Sequence, residues 1–527
     1  MDHDRKTAET VVLDGRSLRI QDLVDAARGR RDVSLAPGAW ERIRQGRSVV
    51  ERIVAEGTPA YGITTGVGAQ KDHPVGREQM IEYNRRLLAA HATRVPGPTL
   101  EPEVVRAAMV IQANLFATGS CGVRPDLVRL ILHRLKEGRL PRVDASGSVG
   151  ASDLVPLAQL ALGLLEETFS INAKEALSLM NSNAVSLALG SLNLHELDRL
   201  LAAFDLSAAM ALEGLRGNLA SLSEPVVRSH GLRGQGEAAA RIRGLLSGSR
   251  LWEAGSARFL QDPLSFRCVS QIHGAGLHAL EWARNVWETE LNTITDNPLI
   301  DLESGTTVSH GNMDSTVMTM VADTMGQILA KIADLSGERM NKQHWPAFSG
   351  LPTGLTEERG RAVGGVQFLN FSHIAASLIA SIKIWAQPHL LHAIGQLNDG
   401  VEDTAGLALH AVADLQRQIE AGWKVAALEM MTGAWALQRR GIPQDDLGAG
   451  VAVVVQDLVP RLPIGREGQG EPFDMAPVVD RIRKGGLLEE AYAAAGGSRP
   501  LCFSPRGRAD GRVSGVEFSL PSGTGAL

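Results

Sequence analysis

The sequence predicts a mainly α-helical protein: a long central helical bundle with a smaller mixed region at its N-terminal end. Between residues 317 and 419, apolar side chains recur three and four apart in three successive stretches. The first is Val317, Val321, Met325, Ile328, Ile332 and Leu335, the second Phe371, Ile374, Leu378, Ile382 and Trp385, and the third Ala408, Val412, Leu415 and Ile419. Each puts an apolar stripe along one helix side, and polar loops join them, as in a bundle. A strand signal, Thr10-Val11-Val12-Leu13 closed by an Asp14-Gly15 turn, gives the N-terminal end its mixed character.

From that turn onward, Leu18, Ile20, Leu23 and Val24 begin helical spacing. Residues 104–115, 126–135 and 154–165 continue it, each stretch bounded by Gly, Pro or Ser. In the central stretches, Met318, Met320 and Leu329 lie off the main stripe, so more than one helix face is expected to be buried, against other helices or other subunits. Residues 461–474 read as a linker, and residues 496–527, rich in Gly, Ser, Pro and Arg, as a poorly ordered tail. The expected division is 1–200 for the N-terminal region, 201–440 for the bundle, and 441–527 for C-terminal helices, linker and tail.

A chain of 527 residues that is 44% hydrophobic can bury a large core. Its 53 basic and 59 acidic residues give a net charge of −6, with no basic block to track phosphates, so no nucleic acid partner is expected. Cys121, Cys268 and Cys502 lie far apart and without CxxC spacing, which fits free thiols in a reducing compartment. The N-terminus is charged and no unbroken run of 18 apolar residues occurs, so the expectation is a cytoplasmic protein without a membrane partner.

Residues 147–157 read Gly-Ser-Val-Gly-Ala-Ser-Asp-Leu-Val-Pro-Leu, a small-residue loop tipping into a helix. Small neighbours leave the Ala151 carbonyl open to a downstream amide nitrogen, although the run alone also suits a plain turn before a helix. Residues 61–68, Tyr-Gly-Ile-Thr-Thr-Gly-Val-Gly, form a glycine-punctuated loop matching neither a P-loop nor a Rossmann turn. Residues 261–268 read Gln-Asp-Pro-Leu-Ser-Phe-Arg-Cys, with Arg267 a candidate for binding a carboxylate through its planar fork. His389 and His392, with His373 and His410 on neighbouring helices, have spacing that can bind metal, but no third ligand is in register and no metal is assigned.

These runs resemble, in order, the GSVGASGDLxPL, YGVNTGFG and QDPYSLRC motifs of the histidine, phenylalanine and tyrosine ammonia-lyases and aminomutases, most closely the histidine ammonia-lyases. The resemblance also covers Lys174 to Asn183 (KEGLALING), Gly311-Asn312-Met313 (GGNF) and Asn292 to Leu299 (NSxTDNPL), and extends over roughly three quarters of the chain. It implies a mostly helical homotetramer whose active sites draw on several subunits, acting on a small aromatic amino acid. It also implies a prosthetic group, a methylidene-imidazolone (MIO) closed from Ala151, Ser152 and Asp153. By resemblance Tyr61 is the base that takes the β-proton, with Arg267 a source of the positive field a phenol needs; Asn181 anchors the ring oxygen, Arg267 holds the substrate carboxylate, and Asn312 and Gln261 help hold the substrate.

Ala90-His91 and Glu402 stand where family members differ by substrate. A histidine and a carboxylate together can hydrogen-bond both nitrogens of an imidazole, which favours histidine or another polar ring. Three departures stand out: Asp153 directly follows Ser152 where the family has glycine, Leu264 replaces a tyrosine, and Ser182 replaces a glycine. The resemblance implies elimination of ammonia to an α,β-unsaturated acid. A 2,3-aminomutase, and a divergent member that lacks MIO and is non-catalytic or performs different chemistry, remain as alternatives.

Overall fold

In the computed structural model, which describes residues 10–165, 169–356, 366–392, 394–463 and 472–496, the three apolar stretches fold as helices Thr316–His344, Val366–Trp385 and Ala408–Arg440. The N-terminal stretches fold as helices Ile20–Ala27, Pro102–Ala117, Pro125–Glu137 and Leu154–Leu164. Strand Val11–Leu13 pairs in parallel with Val33–Leu35, and a second small hairpin joins Leu299–Asp301 to Thr306–Val308. Off the main stripe, Met318 and Leu329 are fully buried, whereas Met320 is 40% exposed.

The element around which these pack is helix Ala184–Leu215, whose 32 residues are almost all buried. It is rich in Ala and Leu, strong helix formers, and apolar on every side, so it carries no stripe for a periodicity argument to find. Helices Ala408–Arg440, Pro102–Ala117, Val269–Glu290 and Thr316–His344 surround it. Close approach depends on small residues: a Cβ on Gly190 would lie 2.0 Å from the Trp287 ring. The Trp287 indole N–H donates to the Leu187 carbonyl at 3.1 Å. The expected boundary after residue 200 falls inside this helix, and helix Ala408–Arg440 ends at residue 440 on a left-handed Gly441.

Polar groups inside the bundle set its register. Arg339 and Glu429, both fully buried, meet at 2.6 and 3.0 Å, and the hydroxyls of Ser207 and Ser336 also donate to Glu429. Three long helices thereby share one ion pair, and removing either partner would leave a buried charge uncompensated, at a cost of about 3–5 kcal/mol.

Among the described residues one helix, with Phe368–Trp385 as the qualifying window, is long and apolar enough to cross a membrane by length and composition. It packs on helices Thr316–His344 and Ala408–Arg440, with only 28% of its window buried. Cys121 and Cys268 are free thiols. Cys502, residues 464–471 of the expected linker and all but the first residue of the expected tail lie outside the described residues.

Near the C-terminal end of the central helix, Glu213 is 3% exposed and accepts from the Ser249 hydroxyl and the Gly448 N–H. Burial pushes its carboxyl up to about 7. Because this value lies above that of the unfolded chain, the folded state gains from the proton at low pH and loses that gain as pH rises from about 4.5 through 7. Thermal unfolding followed by circular dichroism should therefore show stability falling by roughly 2–3 kcal/mol across this window, and Glu213→Gln should flatten that part of the profile.

Candidate active site

Residues 147–153 pass through the end of the bundle where the central helix begins. Gly147 and Gly150 have φ of 101° and 89°, and a Cβ on Gly150 would lie 2.4 Å from the Leu407 nitrogen and 2.6 Å from the Ser315 hydroxyl. Only glycine fits there. Ser152 is 2% exposed and also left-handed, with φ 67°, a conformation costing an L-residue roughly 1–2 kcal/mol. Asp153 precedes helix Leu154–Leu164 with φ −89° and ψ 55°, its carboxylate accepting not from the helix N–H groups but from the Ser148 hydroxyl and from the N–H and hydroxyl of Ser186. Burial raises this carboxyl above its usual range, against those hydrogen bonds.

From Ser152 a buried polar thread runs inward. The Ser152 hydroxyl donates to the Asn181 side-chain oxygen at 2.9 Å, and the Asn181 amide donates to Asp296 at 3.3 Å and the Asn297 carbonyl at 2.9 Å. Asp296 also accepts from the Lys174 ammonium at 2.6 Å and from Ser178 at 2.7 Å. Lys174 and Asp296 are both fully buried, a charged pair that no spacing in the sequence announced. Their attraction fixes which way the Asn181 amide faces, and hence presents its oxygen to Ser152.

Other expected residues gather at the same end. Gly62 in the Tyr61 loop, with φ 64°, lies against Leu177 of helix Glu175–Met180, which ends at Asn181; a Cβ there would meet the Leu177 side chain at 2.3 Å. The Tyr61 hydroxyl oxygen accepts from the Gly68 N–H at 3.0 Å. His91 closes helix Met80–His91, packed against helices Leu154–Leu164 and Glu175–Met180, with exposed Ala90 beside it. Its Nδ1 is 2.8 Å from the Leu87 carbonyl, which can only accept, so Nδ1 donates in that bond. Glu402 accepts from Asn398 at 2.7 Å, and residues 398–400 touch the turn at Gly68–Gln70 that follows Tyr61. Asn312 is exposed in the loop bridging from Asp314 to Ala151, its amide reaching the Ile294 carbonyl at 3.3 Å.

The segment carrying Glu402 is tethered by His389, the histidine with metal-like spacing. Its Nδ1 meets Asp323 at 2.8 Å and its Nε2 meets Asp414 at 3.2 Å, and these two carboxylates raise the imidazole to about 9. Both ring nitrogens are thus occupied by acidic partners.

Gln261, Leu264 and Arg267 stand elsewhere. Helix Val269–Glu290 runs antiparallel to the central helix: Trp287 meets Leu187 at one end and His273 meets Asp205 towards the other. Asp153 contacts Ser186, so the helical rise to Asp205 and on to Arg267 separates the Ser152 loop from Arg267 by roughly 35–40 Å. Within one chain Arg267 therefore cannot supply the positive field expected for Tyr61. It donates instead to the Gln261 side-chain oxygen, in the amide orientation that satisfies both groups, at 2.6 and 3.1 Å. Its Nε is buried with no partner among the described residues. Leu264 is 61% exposed, and a cavity of about 480 Å³ opens beside Gln261, Phe259 and Lys342.

The loop fits an MIO group. Loss of the Ser152 hydroxyl as water after closure would make its Cα planar and remove the left-handed strain, and Asn181 already faces that residue. Positive φ falls on Gly147, Gly150 and Ser152, whereas Asp153 keeps a negative φ, so the third residue needs no glycine for its φ. Closure would forfeit the bond from the Asp153 N–H to the Ser182 carbonyl at 2.7 Å, worth about 1 kcal/mol, comparable to the strain released.

A family model described as aromatic amino acid lyase matches residues 18–170 and 166–459. The histidine ammonia-lyase of Gloeobacter violaceus is 34% identical over 92% of this chain and 98% of its own length, and that of Caldanaerobacter subterraneus is 32% identical over 91% and 97%. Among solved structures, the ergothioneine-degrading ergothionase of Treponema denticola superposes with a TM-score of 0.83 at 26% identity, covering 92% of this chain and 99% of that one. Histidine ammonia-lyase from Trypanosoma cruzi shares the fold with a TM-score of 0.80 at 24% identity, covering 93% and 95%. With its buried Ser152–Asn181 contact and these relatives along nearly its whole length, the chain belongs to the aromatic amino acid lyase family.

Proposed function

We propose that this protein is an ammonia-lyase that eliminates ammonia from histidine, or from a similar polar-ring amino acid, to leave an α,β-unsaturated acid. The observation that carries the reading is the buried, left-handed Ser152 held 2.9 Å from Asn181. The MIO group expected at Ala151-Ser152-Asp153 would supply the electrophile that turns the amine into a leaving group. Tyr61, as its phenolate, removes the β-proton, with the Gly68 N–H donating to the oxygen that carries the charge before the transfer. His91 and Glu402 receive the substrate ring, and Asn312 lines the approach.

Arg267 clamps the carboxylate, and because it lies far from Tyr61 in its own chain, it does so in a neighbouring copy's site. That arrangement calls for an antiparallel oligomer, which we take to be a homotetramer. The apolar helix ending at Trp385, with Ile384 67% exposed, is a face such an assembly would cover. A small amino acid is then the partner, in the cytoplasm, where the free thiols of Cys121 and Cys268 stay reduced. A second reading, an uncyclised member that binds an amino acid without deaminating it, is favoured by the Asp153 N–H bond to Ser182.

Intact mass of the purified protein decides between them: the lyase reading expects the calculated mass less two waters, restored to the full calculated value for the variant in Ser152→Ala, whereas an undiminished native mass leaves the second reading. With histidine as substrate, the conjugated acid should be seen by its absorbance; a β-amino acid product would indicate the aminomutase instead. Tyr61→Phe should lower kcat by roughly 10²–10⁴. Co-expressing Tyr61→Phe with Arg267→Gln should restore part of the activity that each variant lacks alone, because some mixed sites regain both groups; no restoration would refute a shared site.

A further inference from the structure

Where the central helix ends, a cavity of about 580 Å³ is lined by Arg216, Arg250, Arg439 and Arg440 against the acidic Glu213 and Asp446. It contains none of the residues assigned above to proton transfer or substrate holding. Arg250 is paired with Asp446 at 3.1 Å. Arg216 and Arg440 are not: Arg216 donates to the Ser256 carbonyl at 3.0 Å, and Arg440 to the carbonyls of Gly214, at 2.6 Å, and Ser349. No carboxylate among the described residues forms an ion pair with either. Burial first, then the neighbouring Arg216 and Arg258, press the Arg440 guanidinium down to about 10.

Two further features point to a ligand. Arg216 ends the central helix in a left-handed conformation, φ 59°, the position where helices favour glycine, and Gly217 is only one residue further on. A side chain kept there against backbone strain suggests use of its guanidinium, since capping the helix carbonyls requires no side chain at all. One turn before Arg216, Glu213 is 97% buried with one carboxyl oxygen lacking a partner among the described residues, and with burial holding its carboxyl up to about 7 the protonated form can donate to an oxyanion.

We infer that this cavity is a binding site for a small oxyanion, the phosphate or carboxylate group of a metabolite-sized molecule, held by Arg216 and Arg440. A guanidinium fork meets two oxygens of either group at once, and the volume suits a small metabolite. The inference stands apart from the lyase reading, since it concerns binding alone.

The test is calorimetric titration of the full-length assembled protein with inorganic phosphate and, separately, with succinate, against sodium chloride at matched ionic strength. At least one anion should saturate at one site per chain, and which one does so identifies the source. Arg216→Gly should weaken that binding at least tenfold while holding or raising the ligand-free melting temperature, because glycine suits the left-handed position. A purely structural arginine would not give these opposite signs. Arg440→Gln should weaken binding likewise, and Arg267→Gln should leave it unchanged. The inference is overturned if neither anion saturates, if Arg216→Gly binds as the native chain does, or if Arg267→Gln abolishes binding.

Discussion

The structure depends on one helix, Ala184–Leu215, that is buried around almost its whole circumference. A helix buried on all sides cannot be held by an amphipathic stripe, so its neighbours must satisfy it around its whole circumference, and they do so through close contacts at Gly190, Gly422 and Gly433. The consequence is rigidity over the length of the bundle. Each end becomes a fixed platform, with Asp153 and Ser186 joined at one and Arg216 terminating the other.

Rigidity explains why the candidate site residues fall into two groups. Tyr61, His91, Ser152, Asn181, Asn312 and Glu402 gather where the central helix starts; Gln261, Leu264 and Arg267 sit towards its far end. No side chain can bridge roughly 35–40 Å of packed helix. The shared site proposed above is one in which two copies bring these two groups to one molecule.

At the Ser152 end, backbone strain and buried charge act together. Three left-handed residues, Gly147, Gly150 and Ser152, turn the loop within a few residues, and Gly150 is wedged where any side chain would strike Leu407 and Ser315. The Lys174–Asp296 pair, desolvated and hydrogen-bonded on all sides, holds Asn181 in one orientation. A neutral amide in that setting has little freedom to turn away from Ser152, which is what a pre-organised site requires.

Much was legible in the sequence because it depends on local pattern. Apolar residues three and four apart placed the helices from Ile20 onward, and the Gly-Ser-Val-Gly-Ala-Ser-Asp run announced a tight loop entering a helix. The resemblance of short motifs picked out Tyr61, Asn181 and Arg267 as a set. The central helix escaped because apolar residues on all its sides leave no single stripe, and the Lys174–Asp296 pair escaped because its members are far apart in the chain. Nor did sequence show that Ser152 takes the left-handed conformation while Asp153 keeps a negative φ. The residue sequence by itself determined where helices form, which loops are tight and which family the chemistry resembles, since these rest on side chains within a few positions of one another. Only the tertiary structure decided which of those side chains meet, because distance across a packed bundle is set by the length and rigidity of helices and not by spacing along the chain.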